Sequence, residues 1–202
     1  MSTLKTTNLR HETSSSNNIV LDSTGKVTVA EKKFVCPGTI IQVVNTKVTD
    51  TSTVSVGTSF VEIPAINTSI TPTATSSKIL VTMYMMGEGT TNDSNFLARI
   101  TRDIAGGTSG TRLGGVDASS RLGCFQALTE GHDSGDTGTT TTYLNFSNYL
   151  DSPNTTSACT YKVFLRASAA SQTWYVNRTK DDPDTAYGER GVSYCTLMEV
   201  AG

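Results

Sequence analysis

The run from Lys78 to Met86, Lys-Ile-Leu-Val-Thr-Met-Tyr-Met-Met closed by Gly87-Glu88-Gly89, is the most apolar stretch of the chain. In an extended conformation successive side chains alternate between faces. Ile79, Val81, Met83 and Met85 then point one way, and Leu80, Thr82, Tyr84 and Met86 the other. Both faces are substantially apolar. A strand of a two-layer sandwich ordinarily has one wet face, so the second face calls for its own cover, a long loop or a neighbouring subunit. This strand therefore constrains the fold to layered β-structure and marks Met83, Met85, Tyr84 and Met86 as candidate oligomer-interface residues.

The rest of the chain repeats the pattern at lower contrast. Strand-sized apolar segments are expected at 39–48, 54–63 (stopped by Pro64), 66–70, 95–102, 121–129, 140–150, 158–168, 173–179 and 191–200, with long polar loops at 104–116 and 131–138. Gly, Pro, Asn, Asp and Ser between them supply turns. Turn signals at roughly 8–12-residue spacing without an amphipathic helix indicate a β-sandwich or barrel. The expected fold is all-β, an antiparallel β-sandwich of jelly-roll-like type. Its last strand runs almost to Gly202, so the C-terminus should be pinned inside a sheet.

Residues 1–34 differ in texture from 35–202 and form a candidate docking arm ahead of the sandwich domain. The first part is polar, and the Ser14–Asn18 tract follows. Ile19-Val20-Leu21 and Val27-Thr28-Val29 then flank a polar turn at Gly25, which reads as a short β-hairpin. A lone hairpin is marginal in water, so this arm needs a partner or copies of itself. Leu4, Leu9, Ile19, Leu21, Val27 and Val29 are its candidate docking residues.

Composition and charge exclude several function classes. Apolar residues make up 36% and charged residues 17%, and the net charge is −2, with a sequence pI near 5.7. Lys and Arg are scattered singly, without the basic stripe that nucleic-acid binding shows. No apolar stretch approaches the ~20 residues of a membrane span. Residues 1–10 lack the apolar core of a secretory signal, so a soluble chain made in a cytosol is expected. Cys36, Cys124, Cys159 and Cys195 lie far apart. That spacing does not suit zinc, and they read as reduced thiols packed in strands.

No catalytic residue, cofactor site or metal site is assigned. His132-Asp133-Ser134-Gly135-Asp136 and the group Asp181, Asp182 and Asp184 could be imagined around a cation, but each lacks a full loop spacing and reads as a solvated turn. Glu62, Glu130, Asp151 and Glu199 could cleave a glycan only if two of them faced one sugar, and their spacing places no two together. With His11 and His132 as the only histidines, a Ser-His-Asp triad is not indicated. Trp174, Tyr175, Tyr187 and Tyr194 could build a sugar-stacking patch. Trp174 is expected in the core, and Tyr187 is retained as the candidate ligand-patch residue.

Three groups of stretches carry a resemblance. They are Ser2-Thr3-Leu4-Lys5 through Leu9-Arg10-His11 with 19–29; Pro37-Gly38-Thr39-Ile40-Ile41-Gln42-Val43 with 59–63, 69–72 and 77–81; and Leu150-Asp151-Ser152-Pro153, Tyr161-Lys162-Val163, Val176-Asn177-Arg178 and Thr196-Leu197-Met198-Glu199-Val200. In this order they resemble tail-fibre-like virion structural proteins of tailed bacteriophages, of the marine cyanophage type. The resemblance spans most of the chain and is weakest over 104–138. It implies a non-enzymatic virion component, a homotrimer with an N-terminal attachment arm that contacts other virion proteins, assembled in the host cytoplasm. A host cell-surface glycan is a further partner of such proteins. The alternative within the class is a capsid-surface decoration, and a glycan-cleaving depolymerase ranks below both.

Overall fold

The computed structural model describes residues 6–29, 35–90, 95–107, 110–129, 140–186 and 188–202. Among them there is no helix, and the elements are strands β1 (Asn8–Leu9), β2 (Ile19–Leu21), β3 (Val27–Val29), β4 (Ile40–Val48), β5 (Ser52–Val56), β6 (Val61–Ile70), β7 (Lys78–Gly89), β8 (Asn95–Ile104), β9 (Thr111–Leu113), β10 (Gln126–Thr129), β11 (Thr142–Asp151), β12 (Cys159–Ala167), β13 (Gln172–Val176) and β14 (Ser193–Val200). The apolar run of the opening argument becomes β7, three residues longer than expected.

Strand order identifies the architecture. In the first large sheet β7 has β11 on one edge; on the other it meets β14 along Lys78–Tyr84 and β13 along Gly87–Gly89, and these continue to β4 and β5. The second sheet runs β6–β12–β8, with β9 and β10 sharing the far edge of β8. Counting β4/β5, β13/β14 and β9/β10 as one strand position each leaves four positions per sheet, every pairing antiparallel. First, eighth, third and sixth positions form one sheet, and second, seventh, fourth and fifth the other. This is the interleaving of two Greek keys that defines a jelly roll.

The two sheets close over one core. From the first come Ile79, Val81, Met83, Met85, Leu144, Phe146, Trp174, Val176, Cys195 and Leu197; from the second Ile63, Ile66, Phe96, Ile100, Tyr161, Val163 and Leu165. Phe96 meets Trp174 edge to face across the sheets, with ring centroids 5.5 Å apart. The core placement of Trp174 is as expected. Met83 and Met85, offered above as interface residues, are instead buried between the sheets at 2% and 1% exposure. Their face of β7 is the inner one, so only Tyr84 and Met86 of that set remain on an outer surface.

A buried ion pair also bridges the sheets. Arg102 of β8 donates to the Asp151 carboxylate at the end of β11 (2.6 Å), and the Tyr161 hydroxyl donates to the other carboxylate oxygen (2.7 Å). Burial and the neighbouring carboxylate push the Tyr161 phenol well above its ordinary value, so it stays a donor.

Two boundaries differ from expectation for a local reason. The segment 54–63 is split: β5 ends at Val56 and β6 begins at Val61. Pro64 does not stop β6, because β6 is an edge strand whose register with β12 shifts between Ile63 and Thr68. An edge bulge is where a strand tolerates a residue without an N–H. The expected loop 104–116 contains the short β9, and the segment expected at 121–129 is a strand only over Gln126–Thr129.

Ahead of the sandwich, β1, β2 and β3 form a separate three-stranded antiparallel sheet. The β2–β3 hairpin is as read from the sequence, and its turn is fixed by Asp22. That carboxylate accepts from the Thr24 N–H (2.9 Å), the Thr24 hydroxyl (2.6 Å) and the Lys26 N–H (2.9 Å), while Gly25 adopts a φ of +83°. These bonds, the Thr24 hydroxyl first, hold the Asp22 carboxyl below its ordinary value. The added strand β1 was not anticipated.

Candidate functional site

The candidate site consists of two sheet faces over which, among the described residues, no further strand is laid. In the arm, register places Leu9 opposite Ile19, Ile19 opposite Val29, and Leu21 opposite Val27. Residues directly opposite share a face, and so do residues two apart in a strand. Leu9, Ile19, Leu21, Val27 and Val29 therefore line one face, and Asn8, Val20 and Thr28 the other. Leu9, Leu21 and Val27 are 44%, 37% and 58% exposed. Among the described residues, every backbone hydrogen bond of the arm is made within it. Five of the six expected docking residues are thus brought together; Leu4 lies outside the described residues.

The second face is the outer side of the first sheet, and its register sorts side chains into bands. One row reads Leu150, Leu80, Met198, Val43 across β11, β7, β14 and β4. Leu150 and Val43 at its ends are 47% and 55% exposed, and Ile40, paired with Val200 in the next row, is 53% exposed. The middle band is polar: Thr82, Thr196 and Asn45 align, and the Asn45 amide donates to the Thr196 hydroxyl (2.7 Å). The far band is aromatic. Tyr84 stacks on Tyr143 at 5.6 Å and on Tyr194 at 5.5 Å between centroids. Burial, then the neighbouring phenols, raises the Tyr84 phenol above its ordinary value. Tyr84, in the middle of the stack, has a ring on either side, while Tyr143 and Tyr194 at its ends are 52% and 38% exposed. Met86, beside this band, is covered by Gly191, where an added Cβ would lie 1.9 Å from the Met86 sulfur.

The outer side of the second sheet has the opposite chemistry. Asp117 accepts from Arg99 (2.7 Å), Arg112 (2.8 Å) and the Gly123 N–H (2.7 Å), and the Arg99 guanidinium lies 3.8 Å over the Phe60 ring. Lys162 bridges Asp103 (2.9 Å) and Glu62 (3.3 Å). The two broad faces of the sandwich are thus unlike: one is apolar and aromatic, the other is covered by ion pairs.

The alternative sites of the sequence reading resolve as follows. Asp151 and Glu199 flank Ile79 in one register row, their backbones about 9–10 Å apart by strand spacing, so two of the four carboxylates do share one region of the inner face. However, they are 6% and 0% exposed, and each is already bonded. Glu199 accepts from the Thr73 N–H (2.7 Å), the Thr73 hydroxyl (2.7 Å) and the Gln42 amide (2.5 Å). A sugar does not reach them. Asp182 is taken by Arg190 at 2.7 Å, and among the described residues no three His, Cys, Asp or Glu side chains converge as metal ligands. Tyr187, Glu130 and the 132–136 loop lie outside the described residues. Tyr175 packs under the Arg178 guanidinium at 4.5 Å. Sequence reasoning missed the outward roles of Leu150, Met198, Val43 and Tyr143. The period-2 alternation in their strands carried that signal, but which face of each strand was outer could not be fixed without the pairing.

No family model matches the chain, and no curated protein matches it. Among solved structures, the chain is similar to the VP2 subviral particle of infectious bursal disease virus at 13% identity and a TM-score of 0.41, covering 80% of this chain and 33% of that one. It is also similar to the Gt strain structure of the same virus at 15% identity and a TM-score of 0.39, covering 90% and 40%. The chain therefore spans two-fifths or less of the length of these matches. Such overlaps are too distant to carry function across, and the jelly-roll assignment rests on the strand order itself.

Proposed function

We propose that this chain is a non-enzymatic structural component of a virion, a homotrimeric tail-fibre or knob-like subunit docked through residues 1–34. The observation that carries the reading is the arm. A sheet of three strands, two to three residues each, presents five aliphatic side chains on one face and has no bonding to the sandwich among the described residues. Strands this short bury little apolar surface between them, and Leu9, Leu21 and Val27 stay exposed and available to a partner. The expected resemblance to tailed-phage virion proteins supplies the setting. The buried, saturated carboxylates weigh against the depolymerase reading. Contact with a host-surface glycan belongs to the same proposal, around Tyr187.

The second reading, a capsid-surface decoration, is favoured by the compact jelly roll, which has no helical shaft among the described residues. Antibody raised against the purified chain and viewed on phage particles by immunogold microscopy tests both. Gold at tail tips supports the fibre or knob, and gold over the head supports the decoration. Particles without gold, alongside cell lysate that reacts, would overturn the virion assignment.

A further inference from the structure

We infer that the apolar face of the arm docks on the aliphatic band of the first sheet of a second copy of this chain, so that each copy both gives and receives an arm. The inference rests on the reading of the arm as a docking element and names its partner.

Three observations point to a second copy. First, each chain carries two aliphatic sheet faces that the described residues leave uncovered: Leu9, Ile19, Leu21, Val27 and Val29 on the arm, and the Val43–Met198–Leu80–Leu150 row on the sandwich. Second, the arm joins the sandwich beside that row. The Gly38 N–H donates to the Ala201 carbonyl (2.8 Å) and the Ala201 N–H to the Thr39 carbonyl (2.8 Å), which fixes the entry to β4 next to Ile40, Val200 and the aliphatic band. An arm leaving one copy there starts next to the surface that an adjacent copy's arm would need. Third, the faces match in kind. The ion-paired face of the second sheet offers an aliphatic surface no complement, whereas the charged strand residues on the outer face of the first sheet, Lys78, Glu88 and Lys47, stand towards the strand ends.

The size of the contact sets the form of the assembly. Three strands about 4.8 Å apart and about 10 Å long cover on the order of 150 Å², far below the ~800 Å² per partner of a standard stable interface. One arm cannot hold two copies together by itself. A contact between two different surfaces is heterologous, and it closes into a ring when the rotation allows. In a closed ring each added contact is intramolecular, so weak contacts combine.

Complementation between two full-length variants tests this. Leu21→Asp with Val27→Asp spoils the arm and leaves the sandwich face intact. Val43→Lys with Leu150→Lys spoils the face at exposed positions and leaves the arm intact. Each alone should be monomeric at 21.5 kDa, and in an equimolar mixture chemical cross-linking should capture the single intact contact as a pair of about 43 kDa, twice the chain mass, that neither variant gives alone. Thr28→Asp, on the other face of the arm, should assemble like the unaltered chain. A mixture that gives no cross-linked pair beyond those of the separate variants, or an arm variant that still assembles fully, would overturn the inference. In the second case the arm stays available to another virion protein, and immunogold microscopy of particles carrying that variant decides the arm's docking role separately. Dissociation by Thr28→Asp would likewise overturn it, since loss would then follow from unfolding the arm and not from its apolar face.

Discussion

Glu199 shows how a buried charge is held in this fold. Burial, the largest influence, pushes its carboxyl up, but the Ser77 and Thr73 hydroxyls, the Gln42 amide and the Thr73 N–H together bring it below its ordinary value of 4.5. A carboxyl depressed in the folded state stabilises the fold above its unfolded pKa, and that contribution disappears as the pH falls through the folded value. Glu199→Gln should therefore cost about 1.5–3 kcal/mol at pH 7. The gap between variant and parent in denaturant unfolding should narrow once the pH drops below about 4.5. A gap of constant size from pH 7 to pH 3 would show that the charge is not what the pocket holds. The cysteines follow the same logic of burial, which pushes the Cys195 thiol up to about 11 and raises Cys159 as well.

At the scale of elements, β14 is decisive because it lies between β4 and β7. Removing Met198–Gly202 deletes the strand's pairing with Leu80, Ile79 and Lys78 on one side and with Val43, Gln42 and Ile40 on the other. The truncated chain should be insoluble or melt far below the full chain; an unchanged melting temperature would show that β14 is dispensable. This central placement was legible from the sequence, as were the hairpin at Ile19–Val29 and most strand positions, because period-2 patterning and turn residues are local signals. Pairing is not local. Pro64 reads as a stop until β6 is known to be an edge with a bulge. Met83 and Met85 are as apolar as the residues beside them, so only the position of the second sheet tells the inner face from the outer. Tyr143, Tyr84 and Tyr194 come from three strands distant in sequence, and their ladder exists only once β11, β7 and β14 are side by side.

At the scale of the whole molecule, the jelly roll has two unlike broad sides and an arm with one apolar face. The second apolar face demanded by the Lys78–Met86 run does exist, and among the described residues Leu80, Thr82, Tyr84 and Met86 remain half-buried, with no third layer of strands laid over them. Assembly is accordingly the centre of the proposed function. The most direct measurement is the solution mass of the full chain by light scattering, run beside the Leu21→Asp, Val27→Asp variant. The account predicts a trimer of about 64.5 kDa, three times 21.5 kDa, and a variant at 21.5 kDa. A full chain that stays at 21.5 kDa across concentrations would contradict it.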